Sequence, residues 1–305
     1  MTPELRISDA VRSARDGGIA VVALESTIFS GLGLPSPANI ECLERCEAAI
    51  RGGGAVPALT AVIDGVAVVG VTDAEIERVL AGTAKVAARD LPHAVASGLR
   101  IGVTTVSATV TLAAAAGVPV FATGGIGGVH RGAATTGDVS HDLVAMSRHP
   151  VVTVSAGAKA FLDLPATLEY LETLGVPVVG WKSDRFPAFY TRDSGVAVPA
   201  TVESGAEVAT MHAAARALGH PGGILVANPI PPDAELDPAR IDGALDEALA
   251  EVEARRLRGP AVTPLVLAAI AEATGGESVP ANLALAEHNA VVATEIATAI
   301  AALGA

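Results

Sequence analysis

Buried, strand-like runs alternate with helical runs along most of this chain, and this alternation limits the fold more than any other feature. The apolar run Gly18–Leu24 precedes an amphipathic helix predicted over Asn39–Arg51. A later segment predicts strand Val151–Ser155, helix Ala166–Leu174 and strand Val176–Trp181. Continuous apolar strands separated by helices are typical of parallel sheets that are covered on both faces. The sequence therefore predicts an α/β fold, a three-layer α/β/α sandwich with a largely parallel central sheet.

Nothing in the sequence divides the chain into separate units. We find no internal repeat, low-complexity tract or long linker in the 305 residues, which predicts a single domain over residues 1–305. The polar stretch Lys182–Ser204 is interpreted as a long surface excursion. The sequence leaves open whether that stretch forms a lid or a subunit contact.

Charge and composition argue against several kinds of partner. A formal net charge of −13 disfavours nucleic acid and anionic membranes, because both require a basic face. Glycine and proline interrupt the long uncharged window from Ile101 to Val129, so no membrane span is predicted. Cys42 and Cys46 are interpreted as small buried side chains, neither a disulfide nor a zinc site. With no signal-peptide pattern at the N-terminus, these features predict a cytoplasmic enzyme.

Functional residue types follow four predicted strands, close to the point where each strand ends. Ligands of parallel α/β sheets bind at the edge formed by the carboxyl ends of the strands. The residues concerned are Glu25, Gly124 with Gly125, Lys159 and Asn228. Their agreement on one edge predicts the location of the active site.

Lys159 and Glu25 have side chains suited to covalent and acid catalysis. Lys159 follows Ala156-Gly157-Ala158 at a strand end, where partial desolvation would favour a neutral, nucleophilic amine. A surface lysine at a loop is the alternative. Glu25 ends a buried apolar run, where a raised pKa would suit a general acid. An N-cap or ion-pair partner is the alternative for this carboxylate.

Asp138 and Asp142 lie four residues apart, with Ser140 between them and His141 beside Asp142. Oxygen ligands at this spacing suit a hard cation such as Mg²⁺ or Mn²⁺, with one or two protein ligands and water completing the shell. The alternative is a capped helix start with Asp142 in the first turn, which would account for the same residues.

A phosphate site is predicted where the helix Thr105–Ala116 begins. Free backbone N–H groups and hydroxyls at a helix start bind anions, and Lys85 and Arg89 would add positive charge. Simple N-capping and a solvated basic turn are the alternatives. The glycines between Gly124 and Gly128 have neither the spacing of a dinucleotide fingerprint nor a Walker lysine.

Together these segments resemble the pseudouridine-5′-phosphate glycosidases, also called the indigoidine synthase A-like family. The resemblance runs over nearly the whole chain in ordered blocks, which include Ala23–Ser26, Val56–Gly65, Lys85–Pro92, Thr104–Thr109, Phe121–Gly132, Asp138–Leu143, Ser155–Asp163, Phe186–Tyr190, Gly222–Pro231 and Ala281–Asn289.

This resemblance implies reversible cleavage of the C–C glycosidic bond of pseudouridine 5′-phosphate to uracil and ribose 5-phosphate. It implies that Lys159 attacks C1′, that Glu25 donates a proton, and that Asp138 binds Mn²⁺ or another divalent cation such as Mg²⁺. With Thr105 of the predicted phosphate site, the substrate-binding residues are Lys85, Thr105, Val106, His130, Ser140, His141, Asp142 and Asn282. A homotrimer that acts on a small-molecule nucleotide is expected, similar in fold to the predicted sandwich.

Two departures from the family pattern are visible. The chain has Gly31-Leu32-Gly33 after Ser30 where many relatives carry His-Gly, and Ala87 where relatives carry serine. Both are expected to weaken substrate contacts, but neither affects the acid, the amine or the metal ligand. Other hypotheses are a Schiff-base aldolase or lyase that acts on another sugar phosphate, and a non-catalytic sugar-phosphate-binding protein.

Overall fold

An eleven-stranded sheet runs through the computed structural model, which describes residues 5–255, 257 and 262–304. The strands, together with a separate two-stranded ribbon formed by β8 and β10, are β1 Leu5–Ile7, β2 Val21–Leu24, β3 Val56–Ile63, β4 Val66–Val69, β5 Ala84–Val86, β6 Ile101–Thr104, β7 Val120–Ala122, β8 Val129–His130, β9 Val152–Ser155, β10 Leu162–Asp163, β11 Val178–Trp181, β12 Ala200–Val202 and β13 Leu225–Ala227. The helices are α1 Asp9–Asp16, α2 Ala38–Gly52, α3 Asp73–Leu80, α4 Leu91–Ala96, α5 Val106–Ala115, α6 Ala133–Thr136, α7 His141–Arg148, α8 Leu164–Thr173, α9 Gly205–Ala217, α10 Pro238–Ala254, α11 Val262–Ala273 and α12 Ser278–Ala302.

The centre of the sheet is parallel. Strands β3, β2, β7, β9, β13, β11 and β12 follow one another as parallel neighbours. Beyond them, β3 pairs antiparallel with both β4 and β6, and β1 and β5 complete this wing. The predicted largely parallel sheet is therefore confirmed, with a wing of mixed parallel and antiparallel pairs that the sequence analysis did not separate.

Helices cover the sheet as the alternation predicts. Helix α12 packs with α2 and α9 and contacts β2, β7 and β9. Helix α5 packs against α7 and also contacts β2 and β7. Cys42 and Cys46 of α2 are buried, as expected for small apolar side chains. The structure confirms the three-layer α/β/α sandwich.

Local signals place several of the boundaries. The turn between β3 and β4 has positive φ at both Asp64 (49°) and Gly65 (76°), a hairpin geometry that favours these residue types. Thr72 and Glu75 form a capping box at the start of α3. Residues adjacent in sequence to these elements are sufficient to specify the turn and the helix cap.

The predicted unit of β9, α8 and β11 forms, but its strands are not neighbours. Strand β13, which comes later in the chain, lies between β9 and β11 and is parallel to both. The crossover therefore spans one strand position. Long-range pairing of this kind leaves no local sequence signal.

The interpretation of Lys182–Ser204 as a surface excursion is wrong for its middle part. Phe186, Phe189 and Tyr190 are buried, and the backbone N–H of Phe189 donates to the carbonyl of Ala156 at 3.1 Å. These aromatic side chains are surrounded in sequence by charged residues, which hides their burial. The segment ends in β12 and forms part of the wall around the candidate active site.

Within the described residues, none of the helices is long and apolar enough to cross a membrane.

Candidate active site

Four adjacent parallel strands bring the candidate residues to one edge of the sheet. Strands β2, β7, β9 and β13 lie side by side in that order. Glu25 follows β2 directly, Thr123 and Gly124 follow β7, Lys159 lies beyond β9, and Asn228 follows β13. The prediction that these residues meet at the carboxyl edge is confirmed.

Two adjoining cavities open at this edge, and they share Glu25, Thr27, Lys85, Lys159 and Phe161. The first, here called the polar cavity, has a volume of about 400 Å³. The second, here called the apolar chamber, has a volume of about 250 Å³. The apolar side chains that line the chamber include Ile28, Leu32, Leu34, Phe189, Leu267 and Ile270.

The predicted catalytic, substrate-binding and metal-binding residues all lie at the wall of one cavity or the other, whereas Asn228, predicted at the same edge, lines neither. The polar cavity holds Glu25, Lys85, Thr105, Val106, His130, Asp138, Ser140, His141, Asp142 and Lys159. Asn282 lines the apolar chamber. The structure thus brings these residues together, while their individual roles stay predictions.

Glu25 is a buried carboxyl group, only 8% exposed. Its Oε1 accepts a short hydrogen bond from the hydroxyl of Thr123. Loss of hydration raises the pKa of Glu25 above its usual value, and the carboxylate of Asp142 adds to this. The positive charge of Lys159 opposes the shift most strongly, followed by the Thr123 hydroxyl and then Lys85. A raised pKa keeps a carboxyl group protonated for use as an acid.

Lys159 is half-buried at the seam between the two cavities. Its backbone N–H donates to Ile126 at 3.1 Å, and its carbonyl accepts from Leu162 at 3.0 Å, so the loop carrying the amine is fixed on both sides. Gly157, with φ of 74°, permits the tight approach of this loop to the carbonyl of Pro187.

A second amine lies beside Lys159. The chain has only three lysines, Lys85, Lys159 and Lys182, and the first two line the same seam. The surrounding walls remove part of the hydration of Lys85 and so lower its pKa, and the charge of Lys159 acts in the same direction. Two amines beside a raised-pKa carboxyl group distinguish this seam from an ordinary surface cleft.

Asp142 uses both of its carboxylate oxygens to hold the cavity wall. Oδ1 accepts from the backbone N–H of Ser107 and Oδ2 from that of Gly127, each at 2.9 Å. Gly127 is required here, because a Cβ atom at this position would collide with Ser140 and Asp142. The hydroxyl of Ser140 caps α7 by accepting from the N–H of Asp142 at 3.2 Å. The capped-helix interpretation of this segment is confirmed, and direct substrate contact by Asp142 stays a prediction.

We expect Asp142→Asn to lower the free energy of unfolding by about 2–4 kcal/mol, because one of two buried N–H groups would then face another donor. Chemical denaturation measures this. Asp246→Asn is the matched control, since its side chain is 79% exposed and lies 3.8 Å from Arg131. The control should change stability by less than about 1 kcal/mol. Equal losses in the two variants would contradict the wall-holding role of Asp142.

The candidate metal ligand Asp138 lies beside His130. Its carboxylate is 26% exposed and lies 3.9 Å from the Nδ1 atom of His130. Burial lowers the pKa of His130, which favours the neutral ring, although the charge of Asp138 acts in the opposite direction. In the part of the chain that the structure describes, no cluster of three or more His, Cys, Asp or Glu side chains could hold a metal ion. The carboxylate of Asp138 fits a Mn²⁺ or Mg²⁺ ion that keeps several water ligands, whereas an imidazole such as that of His130 is a ligand type better suited to softer divalent metals.

Asn282 lines the apolar chamber and is 8% exposed. Its amide nitrogen donates to the hydroxyl of Tyr190 at 2.8 Å and to the carbonyl of Ser278 at 3.1 Å. These two contacts use both amide hydrogens, which leaves Oδ1 available as an acceptor.

Sequence reasoning missed three residues of the shared seam and chamber. Thr27, Thr123 and Phe161 each lie next to a residue or motif that was identified, but none carries a titratable group. Only Thr123 directly follows a strand, and that position was the available signal for it. Leu267 and Ile270 of α11 also line the chamber without any distinctive sequence feature.

Two solved structures are similar to this chain over almost its entire length. The prealnumycin C-glycosynthase AlnA, solved in complex with ribulose 5-phosphate, superposes with a TM-score of 0.91 at 38% identity and covers 98% of both chains. An indigoidine synthase A-like protein from Thermotoga maritima superposes with a TM-score of 0.88 at 36% identity, over 98% of this chain and 97% of its own.

Sequence comparison gives the same relationship. The pseudouridine-5′-phosphate glycosidase of Chloroflexus aurantiacus is 50% identical over 98% of this chain and all of its own. That of Methylobacterium nodulans is 48% identical over 98% of this chain and 88% of its own. The family model for indigoidine synthase A like proteins matches residues 10–299. The chain therefore belongs to the indigoidine synthase A-like family.

Proposed function

We propose that this enzyme cleaves, reversibly, the C–C glycosidic bond of pseudouridine 5′-phosphate to give uracil and ribose 5-phosphate. The observation that carries the proposal is the shared seam, where Lys159 and the raised-pKa carboxyl group of Glu25 face both the polar cavity and the apolar chamber. The relatives named as pseudouridine-5′-phosphate glycosidases support the same reaction.

In this proposal each cavity binds one part of the substrate. The polar cavity takes the ribose phosphate, with Lys85, Arg89 and the N–H groups at the start of α5 facing the phosphate. The apolar chamber takes the uracil ring, whose N–H group would donate to Oδ1 of Asn282. The C1′–C5 bond would then lie across the seam.

The chemistry needs an acid and an amine at that point. Glu25 donates its proton to the ribose ring oxygen, and the C1′–O4′ bond breaks with electrons supplied by the pyrimidine ring. The free amine of Lys159 forms a bond to C1′, and the C1′–C5 bond then breaks. Its electron pair returns to the pyrimidine, which takes at C5 the proton lost by the lysine nitrogen, and the sugar remains as a protonated imine on Lys159. Water hydrolyses the imine and releases ribose 5-phosphate. A carbon leaving group explains why two carboxylates alone would not suffice.

Release of uracil tests the proposal directly. The protein is incubated with pseudouridine 5′-phosphate and Mn²⁺, and free uracil is followed by ultraviolet absorbance and chromatography. Formation of both uracil and ribose 5-phosphate is expected. Borohydride trapping alone would not distinguish this reaction from that of a Schiff-base aldolase, because both pass through an imine. Absence of uracil would overturn the proposal.

We propose that Asp138, with His130 beside it, holds a divalent cation that orients substrate oxygens and water. Treatment with EDTA should therefore suppress uracil release, and Mn²⁺ should restore it. Asp138→Asn should weaken Mn²⁺ binding, measured by the change in Mn²⁺ electron paramagnetic resonance on titration with protein. An EDTA-treated enzyme that keeps its full rate would contradict the metal role.

A second candidate is cleavage or formation of a C–C bond to a different aglycone. The apolar walls of the chamber favour it, and one similar structure is that of a C-glycosynthase. An enzyme that formed an imine with ribose 5-phosphate but neither released nor consumed uracil would favour this candidate. The homotrimer and the cytoplasmic location stay predictions; light scattering would test the first and cell fractionation the second.

A further inference from the structure

We infer that Thr123 is a positioning residue for the Glu25 carboxyl group, and that a buried pair of asparagines, Asn228 and Asn289, holds Thr123 in place. This inference rests on the proposed function, because it assigns the support of the proposed acid. Thr123 lines the apolar chamber, whereas Asn228 and Asn289 line neither cavity.

Thr123 is fixed at its side chain and at both ends of its backbone. Its hydroxyl donates to Oε1 of Glu25. Its N–H donates to the carbonyl of Val154 at 3.0 Å, and its carbonyl accepts from Nδ2 of Asn289 at 2.8 Å. Thr123 is 5% exposed, so water competes little for these bonds. The hydroxyl therefore restricts the rotamers open to Glu25.

The asparagine pair ties three strand ends to α12. Asn289 also approaches the carbonyl of Gly124, at 3.4 Å, and its Oδ1 accepts from Nδ2 of Asn228 at 2.8 Å. The backbone N–H of Asn228 donates to Ser155 at 2.8 Å. Both asparagines are 1% exposed. Side-chain bonds of the asparagine pair thus join the ends of β7 and β13, and a backbone bond joins β13 to β9, whose end precedes Lys159.

The Thr123 hydroxyl also affects the protonation of Glu25. A donor to a carboxylate stabilises its charged form, so this bond lowers the pKa of Glu25 against the effect of burial. The charged groups that act on Glu25 are Lys159, Asp142 and Lys85, and a change at Thr123 leaves all three in place. Loss of the hydroxyl should therefore raise the pKa of Glu25.

The test compares Thr123→Val, which removes the hydroxyl at nearly constant volume, with Thr123→Ser, which keeps it. We expect kcat for uracil release to fall about 10- to 100-fold in the valine variant, because the acid is less well oriented. The serine variant should recover most of this loss. The limb of the pH profile on which activity falls with rising pH should move to higher pH in the valine variant only. The ratio of variant to wild-type kcat should thus rise with pH.

Thr60→Val is the matched control. Thr60 also has a buried hydroxyl, which bonds to Leu24, Thr104 and Thr109, but this hydroxyl forms no hydrogen bond with Glu25. This variant should lower Tm and leave the pH limb in place. An unmoved limb in Thr123→Val would overturn the inference and reduce Thr123 to a structural residue.

Asn289→Leu extends the test to the asparagine pair. If Asn289 acts through Thr123, the double variant with Thr123→Val should shift the pH limb no further than Thr123→Val alone. Additive shifts would overturn this part of the inference.

A substrate-free measurement separates this inference from the proposed function. The titration of the Glu25 carboxyl carbon is followed by ¹³C NMR in the free enzyme, with the resonance assigned by Glu25→Gln. Its midpoint should be higher in Thr123→Val than in the wild type, whether or not uracil is released. An equal midpoint contradicts the inference, whereas a wild-type enzyme without uracil release contradicts the proposed function.

Discussion

Replacing Lys159 with alanine (Lys159→Ala) is expected to reduce uracil release by about 10³-fold or more, because the variant lacks the amine that forms the bond to C1′ in the proposed reaction. The protein should remain folded, since the side chain is half-buried at a cavity and the loop is held by backbone hydrogen bonds at Ile126 and Leu162. Steady-state kinetics and circular dichroism measure the two outcomes. A Lys159→Ala variant with wild-type activity would remove this amine from the reaction.

The small number of lysines makes the control for this experiment unusually direct. Lys182 lies 5.3 Å from the ring of Trp181 and lines neither cavity, so Lys182→Ala should keep wild-type kcat. Borohydride treatment in the presence of ribose 5-phosphate should attach one sugar, and peptide mass spectrometry should locate it on Lys159. Attachment to Lys85 would assign the nucleophile to the other amine of the seam and contradict the role of Lys159.

Much of the site could be predicted because parallel sheets place strand ends on a common edge. Glu25 and Lys159 are far apart in sequence, yet each follows an apolar strand that periodicity alone identifies. Once the strands are taken as parallel, their ends lie on the same edge whatever the strand order is, and they lie close together because β2, β7, β9 and β13 are adjacent. This is why the candidate residues converge even though the insertion of β13 between β9 and β11 was not foreseen.

The supporting contacts could not be predicted, because they depend on partners distant in sequence. Thr123 lies at the end of an apolar strand, where threonine is common, and its partner Glu25 is 98 residues away. The same holds for Asn289, whose bonds reach Asn228 and Thr123. The interpretation of Lys182–Ser204 was wrong for a related reason. Charged residues flank three buried aromatic residues, so the mean hydropathy of the segment is that of a polar surface loop.

Removal of the proposed acid by Glu25→Gln is expected to reduce kcat by about 10²- to 10⁴-fold, the range typical of general acid catalysis. Glutamine keeps the shape of the side chain and can still accept from Thr123, so orientation is preserved while the transferable proton is lost. The limb of the pH profile that reports Glu25 should disappear. A variant that retains both its rate and this limb would exclude Glu25 as the acid.

The same substitution should stabilise the protein. Burial raises the pKa of Glu25 in the folded state, so its favourable contribution is present below the unfolded-state pKa and is lost as pH rises through the folded-state pKa. The Tm of Glu25→Gln should therefore exceed that of the wild type at neutral pH, and the difference should shrink on acidification. Glu75 gives a control of opposite sign, because its bonds to Thr72 and Arg6 lower its pKa despite partial burial. Glu75→Gln should lower Tm at neutral pH, with the loss fading as pH falls through the folded-state pKa of Glu75. A Tm at neutral pH that rises in Glu25→Gln and falls in Glu75→Gln would show that Glu25 is retained for its chemistry at a cost in stability. A lower Tm in both variants would contradict that conclusion.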